Sequence, residues 1–163
     1  MKRIVLLLLL SPALAFGAFD ANGVKLGDNE LAVKKAFPGI RCKPLEWKSD
    51  AADRRCDDAK APFSGVESRV TVYLKADVVQ GFDIRFDTAH LDKVGAYLKT
   101  RYGKPVSEAR EKIVGKNREE REVYKMLWEQ GADKALLSSI STGKRAWLSV
   151  SRGNFDDAIY RIR

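Results

Sequence analysis

The sequence predicts an α+β domain in which an antiparallel sheet carries two helices packed on one face. Residues 66–75 and 78–87 alternate apolar and polar side chains, as half-buried strands do. Residues 30–37 and 88–102 repeat apolar side chains at helical spacing instead. Short apolar segments separated by turn residues follow the second helix. A sheet with one wet face, covered on the other by helices, accommodates all three patterns.

The first helix has clear boundaries, whereas the segment after it does not. Asp28 is a suitable N-cap for a helix over 30–37, and Pro38 with Gly39 ends it. Residues 40–63 contain two prolines and a charged middle. We therefore expect a mostly irregular segment there, with one short strand over 40–47.

The second helix begins a similar series. Asp87 or Thr88 is expected to cap it, and Gly103 is suited to the position that follows its last turn. The charged segment 106–121 leaves two alternatives, a strand followed by a hairpin tip at 115–117 or a helix fragment. Three further strands are predicted, at 122–129, 134–141 and 145–151. The order of elements thus suggests two helix-plus-sheet units.

The amino terminus has the order of a secretory signal peptide over residues 1–18. Lys2 and Arg3 precede an apolar run, and small residues offer cleavage after Ala15 or Ala18. The run is shorter than the roughly 20 residues that a membrane helix needs, and no lipidation cysteine follows it. We expect a single domain over 19–163, periplasmic or secreted, without a stable membrane anchor.

The only two cysteines are predicted to form a disulfide. Cys42 and Cys56 are an even pair in a chain expected to be exported. A disulfide that closes a loop of this size stabilises the folded state by about 3 kcal/mol. A metal site would need more ligands than these cysteines and the single His90, and redox catalysis favours a C-x-x-C spacing that is absent. No metal or other cofactor is expected.

The net charge of +8 suggests an acidic partner, but its distribution does not favour nucleic acid. Basic and acidic residues alternate along the chain, as in 118–122. A local basic patch of Arg152, Arg161 and Arg163 is the exception, and it could face anionic lipid or an acidic protein.

No catalytic motif is assembled by the sequence, and a non-enzymatic protein is expected. Ser141 and Lys144 match S-x-x-K, but they fall between two predicted strands rather than on the helix that this chemistry needs. His90 has no partner histidine or free cysteine. The alternative is a small hydrolase with an unrecognised site around the disulfide loop and His90.

Aromatic residues carry the main functional signal. Tyr73 lies on the polar face of its predicted strand, and Trp147 is out of phase with its apolar neighbours. Trp and Tyr are favoured at binding hot spots. Tyr73, Trp128 and Trp147 are therefore candidate contacts with a protein partner.

The helix entry Val24–Asp28, the later cysteine and the helix-then-sheet order resemble two groups of exported proteins. One comprises small outer-membrane assembly lipoproteins of the SmpA/OmlA type, and the other comprises β-lactamase inhibitor proteins, which have two such units. The lipoprotein cysteine of the first group is missing here. The resemblance implies an exported protein-binding module, such as an inhibitor, an immunity protein or an envelope-assembly accessory. A polyanion or lipid-surface binder remains the other alternative to a hydrolase.

Overall fold

The computed structural model describes residues 18–160. Nearly all of the predicted signal peptide, together with Arg161 and Arg163, lies outside these residues. The described chain is mainly antiparallel sheet with a few helices, which confirms the predicted sheet. The strands are β1 (Asp20–Ala21), β2 (Val24–Lys25), β3 (Arg41–Pro44), β4 (Arg54–Phe63), β5 (Val66–Lys75), β6 (Val78–Asp87), β7 (Ser107–Val114), β8 (Glu120–Gln130), β9 (Asp133–Ile140) and β10 (Arg145–Arg152). The helices are α1 (Glu30–Ala36), α2 (Leu91–Tyr102), which follows a 3-10 turn, and α3 (Phe155–Ala158).

Two four-stranded meanders form the main sheet. Its strand order is β3-β4-β5-β6-β10-β9-β8-β7, and all neighbours are antiparallel. Helix α1 precedes the first meander and α2 precedes the second. The last strands of the two meanders, β6 and β10, pair at the centre with Ile84 opposite Leu148. The order of elements therefore repeats as the sequence suggested.

The bounds of the central hairpin match the prediction, but the pairing shifts register between Tyr73 and Leu74, and Val78 is 38% exposed although alternation placed it on the buried face. Strands β5 and β6 are joined by Ala76 and Asp77, whose φ angles are 48° and 62°. Two consecutive positive φ angles are typical of the type I′ turn, whose twist matches that of the flanking strands. A two-residue turn also sets the register of the pair, which determines the side chains that share a face.

One face of the sheet is buried in the main core, and we call it the core face. Alternate strand residues such as Val72, Ile84 and Leu148 lie in this cluster and are fully buried. Val33 of α1 and Leu98 of α2 belong to the same cluster. The remaining strand residues lie on the opposite side, which we call the outer face.

The start of α1 differs from the prediction. Asn29, not Asp28, is the N-cap, and its side chain accepts a hydrogen bond from the Ala32 backbone N–H at 3.0 Å. Asp28 instead accepts one from the Lys25 backbone N–H, which holds the turn before the helix. Leu31 is 76% exposed, although the helical spacing included it in the buried face.

The expectation of a mostly irregular segment over 40–63 is wrong. This segment contains β3 and the ten-residue β4. The pairing of β4 with β5 shifts register between Asp58 and Ala61, so the alternation of buried residues is interrupted within the strand. In the segment 106–121 the strand alternative is correct, because β7 pairs along its whole length with β8.

The predicted disulfide is present. Cys42 and Cys56 are directly opposite each other on β3 and β4, with their Cα atoms 3.9 Å apart. The bond joins the edge strand of the first meander to its neighbour. Within residues 18–160, no helix has the length and apolar character needed to cross a membrane.

Candidate functional site

Part of the outer face is covered by the chain itself. The covered part consists of Tyr73 on β5 with Trp47 from the loop after β3 and Phe155 and Ile159 from the carboxyl-terminal segment. Tyr73 and Phe155 pack with their ring centroids 5.6 Å apart. The Trp47 Nε1–H donates a hydrogen bond to the Ile159 carbonyl at 2.7 Å, which ties the loop to the carboxyl-terminal segment.

Gly81 makes room for this cover. A Cβ atom at Gly81 would lie 2.5 Å from a ring carbon of Phe155, so no larger side chain fits without moving the ring. Gly81 lies directly opposite Tyr73 on β5 and Ser151 on β10. The absence of a side chain at Gly81 therefore lets Phe155 of α3 pack closely on the sheet.

Two tyrosines mark the boundary of the covered part. The hydroxyl groups of Tyr73 and Tyr160 lie 3.2 Å apart, and Trp47 stacks on Tyr160 at 6.0 Å. Burial raises the pKa of Tyr73 well above its ordinary value, and the contact with Tyr160 adds to this effect. Tyr160 itself is 59% exposed, so the stack ends in an accessible aromatic ring.

Beyond the covered part the outer face opens into a groove of about 500 Å³. Its walls include the covered aromatics on one side and Leu136, Arg145 and Trp147 on the other. Trp147 is half-buried and lies directly opposite Arg85 on β6 and Ser138 on β9. A groove of this size with aromatic walls and a few polar groups is typical of a binding site.

Asp83 lies in the floor of this groove. Burial raises the pKa of its carboxyl group, whereas a hydrogen bond from Ser149 and the charge of Arg85 partly oppose that effect. Ser149 is its direct neighbour on β10. The Asp83 carboxyl group is therefore held in place by its neighbours, and its burial limits the solvation of the charged form.

Three arginines occupy the end of the outer face away from α3, and we call them the arginine cluster: Arg69, Arg85 and Arg145. All three are exposed and line a second cavity of about 390 Å³. Arg85 and Arg145 also line the groove, so the two cavities adjoin. The site therefore has an aromatic end and a basic end.

The three aromatic residues predicted as partner contacts lie in different surroundings. Trp147 faces the groove, whereas Tyr73 is only 4% exposed beneath Phe155 and Tyr160. Trp128 is 2% exposed on the core face, where its Nε1–H donates to the Gly103 carbonyl at 2.8 Å. Of the three, only Trp147 is accessible to a partner in this conformation, because the other two are covered by the chain itself.

Only Arg152 of the predicted basic patch lies within the described residues. The guanidinium group of Arg152 binds both carboxylate oxygens of Asp133, at 2.5 and 3.0 Å. Arg161 and Arg163 lie outside the described residues. Arg152 is therefore committed to an ion pair on the β9–β10 hairpin.

The residues considered for catalysis are dispersed. His90 is exposed in the turn before α2 and does not line the groove. Ser141 and Lys144 flank the turn between β9 and β10, as predicted. Among residues 18–160, one group of metal-ligating atoms comes together, in Glu30, Cys42 and Cys56, and the disulfide occupies both of its sulfurs.

Asp83 and the arginine cluster were missed as site residues. The alternation in the sequence does place Arg69 and Arg85 on the solvent-facing sides of their strands, and this is the local signal for the cluster. Their meeting with Arg145 depends on the pairing of β6 with β10, which joins residues about 60 positions apart. Local patterns carry no information on that pairing.

Comparison of the chain with protein-family models, curated proteins and solved structures finds no match.

Proposed function

We propose that this chain is an exported, non-enzymatic module that binds another protein through the open groove of its outer face. Trp147 is the observation that carries the proposal. It is a large aromatic residue left partly exposed on a sheet whose other aromatics are buried by the chain itself. Such residues supply contact area at low entropic cost and dominate many interfaces.

The compartment proposed is the periplasm or the extracellular space. The Cys42–Cys56 disulfide supports it, because such bonds persist in oxidising compartments. An inhibitor, an immunity protein and an envelope-assembly accessory all need the same property, a rigid surface that fits one partner. The sheet supplies that rigidity because every strand of the groove is paired on both sides.

Binding is favoured over hydrolysis by the groove's own chemistry. Asp83 is a carboxyl group with a raised pKa, which is a feature of many catalytic sites. Its hydrogen-bond neighbour is the hydroxyl of Ser149, and His90 lies away from the groove. A serine nucleophile would need a base to take its proton. The pKa of Asp83 is raised by burial, and the hydrogen bond from Ser149 lowers it instead.

Affinity capture with matched variants tests the proposal. Tagged wild-type protein should retain a stoichiometric partner from an extract of the producing cells or from their culture medium. Trp147→Ala should lose it, whereas Leu31→Ala, which truncates an exposed apolar residue on α1, should keep it. Equal retention by both variants, or no stoichiometric partner for the wild type, would contradict the proposal.

A further inference from the structure

The arginine cluster lacks the ion pairs that other arginines of this protein have. Arg55, Arg101 and Arg152 each bind a carboxylate within 3.0 Å. Among residues 18–160, no carboxylate lies within 4.0 Å of the guanidinium nitrogens of the cluster. Asp83 and Arg85 interact through their charges, but the Asp83 carboxyl group takes its hydrogen bond from Ser149 and forms no ion pair with Arg85.

The register makes this arrangement costly for the fold. Arg69 and Arg85 are directly opposite each other on β5 and β6. Like charges in that position repel each other and destabilise a strand pair. Of the acidic groups lining the same cavity, Asp87 lies directly opposite Arg145, but its carboxylate accepts a hydrogen bond from the Ala89 N–H at 2.8 Å and forms no ion pair with Arg145. Glu67 is the other, so the three arginines outnumber the carboxylates around the cavity, and Lys144 adds a fourth cation.

We infer that the partner presents an acidic segment to the groove, with carboxylates against the arginine cluster and an apolar side chain against Trp147. This inference rests on the proposed function, whose partner it describes. Guanidinium groups bind carboxylates with two parallel hydrogen bonds, and an incoming carboxylate removes the repulsion within the cluster. Trp147 lies directly opposite Arg85, so the charged and apolar contacts are about 5 Å apart, within one short segment of a partner.

The recessed shape favours a protein segment over a lipid surface. Arg85 and Arg145 line two adjoining cavities of about 390 and 500 Å³, and Trp147 lies within the second. A peptide side chain enters such cavities, whereas a flat layer of headgroups contacts only the rim. Carboxylates are therefore the expected anions, and polyanions and vesicles provide the competing arms of the test.

The test measures the affinity of short labelled peptides by fluorescence anisotropy. One peptide alternates glutamate with leucine, and its counterpart has glutamine at each glutamate position. Heparin and phosphatidylglycerol vesicles are assayed in parallel. The proteins are the wild type, a variant with all three cluster arginines changed to glutamine, and a control that removes three exposed charges elsewhere: Lys35→Gln, Lys60→Gln and Lys116→Gln.

The glutamate peptide should bind the wild type at least about tenfold more tightly than it binds the arginine-cluster variant, since charge pairs across interfaces are worth this much. The lysine control, which has the same net charge as the cluster variant, should stay close to the wild type. Thermal melting of each variant confirms that it folds.

Three results would overturn the inference, and the first two are equal binding of the glutamine peptide and equal losses in the two triple variants. Tighter binding of heparin or vesicles with the same dependence on the cluster would do so as well. If any of these occurs while Trp147-dependent capture of a protein persists, the acidic-segment inference fails and the proposed function stands. Loss of that capture would instead refute the proposed function itself.

Discussion

The covered part and the open part of the outer face differ in whether the chain buries its own large side chains. In the covered part, Gly81 has no side chain, so Phe155 packs closely on the sheet and buries Tyr73. In the open part, large side chains remain on the surface, and Arg69 and Arg85 face each other with no carboxylate within 4.0 Å of their guanidinium nitrogens among residues 18–160, although the charges of Asp83 and Arg85 interact. The first arrangement serves stability, and the second costs stability. A cost of this kind is expected where a surface is reserved for binding.

Removing the cover should give the largest effect on stability. Phe155→Ala deletes a mostly buried ring and exposes Tyr73, so we expect the free energy of unfolding to fall by about 3 kcal/mol. Urea unfolding monitored by circular dichroism measures this. The control Leu31→Ala should change it by less than about 0.5 kcal/mol, because that side chain is exposed. A loss as small as the control's would mean that the carboxyl-terminal segment does not hold the covered part together.

Relieving the repulsion in the open part should have a smaller effect of opposite sign. Arg69→Gln removes a like charge opposite Arg85, and we expect the free energy of unfolding to rise by about 0.5 kcal/mol. Arg101→Gln is the matched control, because Arg101 donates two hydrogen bonds to Asp20 at 2.7 and 2.9 Å. That variant should be less stable than the wild type. A loss of stability in both variants would show that the cluster is structural rather than reserved for a ligand.

The free energy of unfolding should depend on pH through Asp83, which lies in the groove next to the covered part. Its pKa is higher in the folded protein than in the unfolded chain because of burial, so folding favours the protonated form. The contribution of this group to stability therefore falls as the pH rises from the unfolded pKa through the folded one. Asp83→Asn should be more stable than the wild type at neutral pH, and this advantage should shrink as the solution is acidified toward the unfolded pKa. Paired urea titrations at acidic and neutral pH measure the difference, and an advantage independent of pH would contradict the assigned cause.

Local sequence patterns predict some elements of this fold and not others. The β5–β6 hairpin followed from alternation and a two-residue turn, and the disulfide followed from an even pair of cysteines. Strand β4 was missed because its register shift between Asp58 and Ala61 interrupts the period of two. These outcomes all concern patterns that are local in the chain.

The site depends on contacts that are not local. Tyr73 lies on the polar face of its strand, as alternation indicated, yet Phe155 and Tyr160 cover it from more than 80 residues away. Trp128 lies on the core face because its position in β8 is in phase with the buried residues Met126 and Tyr124. Trp147 is out of phase with its buried neighbours, and that local signal indicated an exposed side chain but not the groove around it.

The affinity of the captured partner for three proteins tests the central claim most directly. Isothermal titration would compare the wild type, Trp147→Ala and Leu31→Ala under identical conditions. A binding surface centred on Trp147 predicts a loss of about 2 kcal/mol or more for Trp147→Ala, roughly a thirtyfold weaker complex, with Leu31→Ala unchanged. Wild-type affinity in Trp147→Ala, or a larger loss in Leu31→Ala, would place the binding surface elsewhere and contradict the claim.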